Sequence, residues 1–304
     1  MKKRKKKKLL AAALDIVATG LAYFVNLISK VAPMEITGTL CGVLAAAISF
    51  LIPETYLMGK NLRRAFPEKD FWERLKIILG VWFNLGLFAG EYCYIHALTK
   101  ERLEKMASFS KPSKQFLENF EKGRGSLILS GHFFNWELAL AYFSKLVKTK
   151  MNVVYRRSNN NFLERLLIQK FKRKLGIELI AKADNAGIRI VRALKMGEIV
   201  TLMVDQKDKK NGVLVDLFGQ KAYTNTTAFD LYKKLDIDLY YFSFFHGKNI
   251  FKININAEKL DFDRQNITRD DFLRAVNAKL EADMRERPSQ WFWVHNRWET
   301  GKGI

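Results

Sequence analysis

The chain has 304 residues, with 52 Lys and Arg against 31 Asp and Glu and a formal net charge of +21. That length buries a full core in one large domain or two small ones, and the charge favours acidic partners such as anionic lipid headgroups, nucleic acid or an acidic protein. Two cysteines, Cys41 and Cys93, and only five prolines argue against a disulfide framework, a zinc pattern and long disorder.

Residues 2–8 form an unbroken basic run, followed at once by an apolar stretch over 9–29 that Asp15 and Asn26 interrupt. A cleaved signal peptide has the same order of charge and apolar core. Here the apolar part is long, and no small-x-small cleavage site stands at its end. A spanning helix needs about 20 apolar residues, whereas a helix lying at the membrane surface tolerates Asp15 and Asn26 more easily. The expectation is a retained anchor, spanning or interfacial, with the basic run on the cytoplasmic side. A second apolar segment at 38–52 is short for a span and is expected to pack on the first or dip into the interface.

From 53 to 121 the pattern is mostly helical. Asn61-Leu62-Arg63-Arg64-Ala65-Phe66-Pro67 ends one helix at its proline. Asp70 caps the next, whose Trp72, Leu75, Ile78, Leu79 and Trp82 share one side and read as core. After Gly125 the period changes. Strands are expected at 126–130, 151–155, 178–180, 199–204, 213–217, 239–246 and 249–256, and helices at 136–146, 161–175, 186–196, 228–235 and 268–287. This alternation predicts a layered α/β domain with a central mixed sheet, preceded by a helical, membrane-associated N-terminal part. The simplest division is a basic run and anchor at 1–52, a helical part at 53–122 and an α/β catalytic part at 123–304, the last two able to form one domain.

The heptad Gly131-His132-Phe133-Phe134-Asn135-Trp136-Glu137 falls at a strand-to-helix turn. An imidazole there, with a carboxylate close enough to orient it, is the minimum equipment for taking a proton from a hydroxyl. A histidine capping a turn and a glutamate favoured in a first helical turn account for the local pattern equally well. Tyr155-Arg156-Arg157 ends the next strand, where ligands of α/β sheets gather. The guanidinium fork suits phosphate or carboxylate, although surface solubility also explains such a pair. In Val204-Asp205-Gln206-Lys207, Asp205 reads as a sugar-hydroxyl ligand, a partner for Arg156 or a turn aspartate. The stretch 217–224 is read as a glycine turn. Trp291, Trp293 and Trp298 suit either a membrane interface or a grip on the core. His295 reads as structural, and His96 and His246 have no partner at ligand spacing. There is no GxSxG, GK[ST] loop, HExxH or GxGxxG, which removes the common hydrolase, nucleotide and zinc readings.

Several blocks, in this order, resemble the bacterial lipid A biosynthesis late acyltransferases (lauroyl/myristoyl transferases), a branch of the HX4(D/E) acyltransferase superfamily. They are the run 61–68, the heptad 131–137, Val154-Tyr155-Arg156-Arg157, Val204-Asp205-Gln206, Val215-Asp216-Leu217-Phe218-Gly219 and the block 290–297. The resemblance implies His132 as general base and Glu137 as its orienting partner. Arg156, with Arg157, and Asp205 would belong to the acceptor or transition-state pocket, and Asn135 to the substrate-facing helix start. It implies acyl carrier protein thioester as donor and co-substrate, with no cofactor and no metal. The acceptor would be a hydroxyl of an anionic, Kdo-bearing lipid A precursor at the cytoplasmic face of the bacterial inner membrane, with no nucleic-acid partner. Lys207 and the lysines after it, and Asn296, depart from the family pattern. Two other readings stay open: an acyltransferase of a lysophospholipid or other glycolipid that takes acyl-CoA or acyl carrier protein thioester, and a non-catalytic basic protein that binds membrane or nucleic acid.

Overall fold

The computed structural model describes residues 20, 27–28, 31–92, 94, 99–109, 114–157, 164, 176–182 and 185–298. The basic run at 2–8, most of the apolar stretch at 9–29, nearly all of the helix expected at 161–175, Cys93 and His96 lie outside these residues.

Helix α1 (Met34–Ile48) continues into a 3-10 turn, Ser49–Leu51. It begins at Met34 rather than at 38. The resulting 18 residues are long and apolar enough to cross a membrane, contrary to the reading of a segment too short to span. Helix α2 (Pro53–Ala65) carries proline in its first turn, where the missing N–H costs nothing, and stops before Phe66-Pro67. Helix α3 (Phe71–Tyr92) opens with a reciprocal cap. Asp70 Oδ1 accepts from Glu73 N at 2.8 Å and Glu73 Oε2 accepts from Asp70 N at 2.9 Å. Ile78 is buried as expected, but Trp72 is 72% exposed, because the buried face of α3 begins only at Ile77. Helices α1 and α3 pack backbone to backbone. A Cβ at Gly86 would stand 2.2 Å from the Cys41 carbonyl oxygen, and one at Gly90 would stand 2.7 Å from Gly38 Cα. The other side of α1 carries an exposed stripe of Ile36, Leu40, Val43, Leu44 and Ile48.

Helix α4 (Lys100–Met106) leads into β1 (Ala107–Phe109), and α5 (Lys114–Glu118) precedes β2 (Ser126–Ser130). Then follow α6 (Trp136–Leu146), β3 (Met151–Tyr155), β4 (Ile177–Ala181), α7 (Ala186–Lys195) and β5 (Ile199–Met203). Next come β6 (Gly212–Leu217), β7 (Gln220–Asn225), α8 (Thr227–Lys234), β8 (Asp238–His246), β9 (Ile253–Lys259) and α9 (Arg269–Glu286).

Seven strands form one mixed sheet in the order β1-β9-β8-β2-β5-β3-β4, parallel throughout except between β8 and β9. Period-two alternation splits the core between its faces. Leu127, Leu129, Val200, Leu202 and Tyr241 pack on one side, and Ile128, Ile199, Val153, Tyr240 and Phe242 on the other. Three strands differ from expectation. β1 is too short to show a period. β9 starts at Ile253, after a turn, and runs into polar Glu258 and Lys259, where the apolar alternation has faded. The stretch read as a glycine turn is a hairpin. Phe218 and Gly219, with φ of 56° and 67°, form its two-residue bend, and polar β7 pairs with β6.

Candidate active site

The site follows from the register of two neighbouring strands. β2 and β5 run parallel with Ser130 opposite Met203, and Val204 N donates to Ser130 O at 2.8 Å, which carries the ladder one step further. One or two residues beyond, at the carboxyl edge of the sheet, the two chains deliver His132 and Asp205 side by side. Asp205 Oδ1 lies 2.8 Å from His132 Nδ1. Its other oxygen accepts from the His132 backbone N–H at 3.0 Å and from the Trp291 indole N–H at 2.9 Å.

The carboxylate that grips His132 is therefore Asp205. This corrects the expectation that Glu137 would orient the ring, and it replaces the sugar-hydroxyl and Arg156 readings of Asp205. The physical reason is the path of the chain after Gly131. A γ-turn closes from Phe133 N to Gly131 O at 2.8 Å, and Phe134 takes a left-handed φ of 21°. A Cβ at Gly131 would stand 2.6 Å from the Phe133 ring, so this bend requires glycine. Beyond the bend, α6 starts at Trp136, and Glu137 leaves from its first turn into a cavity that His132 also lines.

Asp205 is almost completely buried. Burial alone would raise its pKa. The His132 charge, the two hydrogen bonds from His132 and the Trp291 N–H outweigh it and hold Asp205 below the usual carboxylate range. An ionised Asp205 accepts Nδ1–H, so neutral His132 carries its lone pair on Nε2. The ring is flanked by Trp136, edge-on at 5.5 Å, and by Phe292, tilted at 6.4 Å.

The cavity beside His132 measures about 170 Å³ and is mainly apolar, walled by Val81, Leu85 and Phe88 of α3 and by Trp291 and Phe292. Glu137 is half-buried there, and no hydrogen bond within the described structure reaches its Oε2. Asn135, expected to face substrate, is instead fully buried. Its Oδ1 caps α6 by accepting from Leu138 N at 3.3 Å, a contact type that contributes about 1 kcal/mol. Its Nδ2 donates to Glu91 Oε2. Burial pushes Glu91 up to about 8; the Asn135 hydrogen bond opposes the shift and nearby Glu35 adds to it.

Arg156 and Arg157 are exposed just past β3. β3 lies next to β5, so both arginines leave the same sheet edge as Asp205 without a contact to it that brings them into the His132 cluster. The tryptophans resolve in favour of the core: Trp291, Trp293 and Trp298 are all buried. They join three separated blocks. Phe66 and Phe218 both pack against Trp293 with tilted rings, and Asn61 Nδ2 donates to the carbonyls of Trp293 and His295 at 2.8 Å. His295 Nε2 accepts from Lys207 N at 2.8 Å. Burial first, then the positive charges of Lys207, Arg297 and His132, push this ring down to about 4 against the pull of Asp205, so it is neutral. His246 pairs with Asn84 and meets Phe134 edge to face, a packing role.

Sequence reasoning missed Trp291 as a partner of the carboxylate and missed Glu91 altogether. The signal for Trp291 lay in the tryptophan-rich block, but its target shows only once β2 and β5 are paired. Among the described residues no group of three or more His, Cys, Asp or Glu has the arrangement to hold a metal ion.

The family model described as bacterial lipid A biosynthesis acyltransferase matches residues 2–300. The lipid A biosynthesis palmitoleoyltransferase of Escherichia coli (strain K12) is 23% identical over 278 residues, covering 86% of this chain and 84% of the relative. The lipid A biosynthesis acyltransferase of Shigella flexneri is similar to the same extent, 23% over 278 residues, with the same coverage.

Proposed function

The chain belongs to the bacterial lipid A biosynthesis acyltransferases, and we propose on that footing that it moves a fatty acyl group from acyl carrier protein thioester to a hydroxyl of a Kdo-bearing lipid A precursor. The observation that carries the chemistry is the buried Asp205 holding His132 Nδ1 beside an apolar cavity. The acceptor hydroxyl gives its proton to Nε2 as its oxygen attacks the thioester carbonyl. Asp205 stabilises the imidazolium that forms, as the third member of a triad does. The tetrahedral oxyanion collapses, the C–S bond breaks, and the departing sulfur takes the proton back from Nε2. The enzyme supplies no nucleophile. The positive end of α6, whose first turn enters the cavity through Trp136 and Glu137, faces the developing oxyanion.

Glu137 contributes differently from the original expectation. Its unpartnered oxygen accepts a hydrogen bond from substrate, an acceptor hydroxyl or a donor amide, and so aligns it against Nε2. The acyl chain enters the apolar cavity, where each buried CH₂ contributes roughly 0.8 kcal/mol. The exposed stripe of α1, with Phe50, Leu51, Tyr56, Phe71 and Trp72 also exposed, suits attachment to the inner membrane with the catalytic part on the cytoplasmic side. The +21 net charge suits both an acidic carrier and an anionic lipid.

A non-catalytic basic binder has no use for an imidazole held by a buried aspartate against a cavity. Mass spectrometry of lipid A from cells lacking the protein tests the proposal. A deficit of one fatty acyl group is expected, and an unchanged lipid A with altered phospholipids would replace it with the lysophospholipid reading. Comparing acyl carrier protein and coenzyme A thioesters with the purified chain settles the donor.

A further inference from the structure

A second cavity, of about 460 Å³, opens at the same sheet edge, against the residues that flank Asp205 in sequence. Its wall begins with Val204 and resumes with Gln206, Lys207 and Asp208, so the segment carrying Asp205 forms part of it. Two cations reach it from different strands, Lys207 after β5 and Lys182 after β4. β3 runs between those strands and ends in Arg156-Arg157. Lys182 N donates to Tyr155 O at 2.8 Å, which ties the Lys182 loop to the start of that arginine pair. Four cationic side chains thus leave the ends of three adjacent parallel strands. Gly187, in the first turn of α7, also lines the cavity, in open space and on a helix start with no side-chain cap. Among the described residues the wall holds one carboxylate, Asp208, and it is engaged by the backbone and by Asn225. It accepts from Lys210 N at 3.0 Å and Asn211 N at 3.1 Å, and from Asn225 Nδ2 at 2.6 Å.

We propose that this cavity binds a phosphate monoester carried by the acceptor lipid's headgroup, with Lys182 and Lys207 as its ligands. The inference rests on the acyltransfer reading and adds to it the place where the acceptor is recognised. Position favours the acceptor over the donor as the source of phosphate. Lys207 stands two residues from Asp205, within about 7 Å along the chain. A headgroup phosphate belongs to the acceptor molecule that His132 deprotonates, whereas the phosphate of a pantetheine arm is a long extended linker away from its thioester. The two cavities then divide the work: the apolar one, which His132 lines, takes the acyl chain, and the basic one, which the neighbours of Asp205 line, orients the headgroup.

The test uses the full chain in detergent, with Lys182→Gln and Lys207→Gln singly and together. Both lysines are outside the core, so the variants keep the wild-type melting temperature. The double variant is expected to raise KM for the phosphorylated acceptor roughly 10- to 100-fold, as for lost charge-assisted hydrogen bonds, with kcat and the KM for the acyl donor unchanged. On the dephosphorylated acceptor, variant and wild type should perform alike. Equal losses on both acceptors, or a rise confined to the donor KM, overturns the assignment. Calorimetric titration with glucosamine 1-phosphate and with glucosamine reads the cavity without turnover. The wild type should prefer the phosphate and the double variant should not, and equal binding by both proteins overturns the proposal. If the wild type transfers no acyl group to any acceptor, the function fails while this titration still decides the cavity.

Discussion

Asp205 Oδ1 and His132 Nδ1 stand 2.8 Å apart across 73 residues of sequence. Replacing Asp205 by Asn swaps an ionised acceptor for an amide and leaves the imidazole without the charge that stabilises its protonated form. We expect Asp205→Asn to lower kcat by roughly 10³–10⁴, and His132→Ala by roughly 10²–10⁴, with circular dichroism unchanged for both. Single-turnover acyl transfer by the purified variants checks this. Near-wild-type turnover in either one would rule out the base or its orienter.

Glu137 should respond differently. It lines the cavity and makes no hydrogen bond to the ring among the described residues, so Glu137→Gln is expected to raise KM or lower kcat/KM by roughly 10- to 100-fold without the collapse seen at Asp205. A steady-state comparison of the two variants decides the matter. A larger loss in Glu137→Gln than in Asp205→Asn would return the orienting role to Glu137.

Glu91 ionises near 8 when folded, against an ordinary 4.5. Its native form holds a proton that the unfolded chain has released, so stability falls as pH rises through that window and levels off above it. Glu91→Gln, which still accepts from Asn135, should raise the melting temperature by several degrees at pH 8 and leave it unchanged at pH 4. A melting series across pH 4–9 that shows parallel curves for the two proteins would count against a protonated Glu91.

Filling the apolar cavity should shorten the preferred acyl chain. Leu85 lines it from α3, and Leu85→Phe adds bulk where hydrocarbon is expected to lie. Competition between thioesters of different lengths should show a shift of roughly two to four carbons. An unchanged length profile would move the acyl chain elsewhere.

The stripe on α1 gives the membrane prediction. Leu40 and Leu44 are more than half exposed and lie one turn apart. Leu40→Glu with Leu44→Glu should release most of the protein from anionic vesicles in a flotation assay, while soluble acyl-donor binding persists. Full retention on vesicles would assign attachment to other segments.

Much of this molecule is written in its local pattern. The strand at 126–130 and the helix at 136–146 agree with expectation at both ends, because each is bounded by its own turn chemistry: Gly125 before the strand and the Asn135 cap before the helix. The sheet's class followed from the change of period after Gly125. Local pattern failed where tertiary pairing decides the outcome. β7 is polar and exists because β6 and the Phe218-Gly219 bend bring it back. Trp72 carries a core-like side chain but falls one turn short of the packed face of α3. Within the site, His132 was legible from one heptad, whereas its carboxylate was assigned to the nearer residue in sequence. Spacing along a helix start ranks Glu137 first. Only the register of β2 against β5 promotes Asp205.

Trp291 seals Asp205 with its indole N–H and packs edge-on against Trp293, which residues as distant as Asn61 and Phe66 hold in place. On a ribosome, His132 and Asp205 emerge long before that seal does. Until 291–298 have docked, the aspartate stays wet and its hold on the imidazole is weakened by water. The readiness of the His132–Asp205 pair is therefore tied to the docking of a segment 86 residues further along the chain.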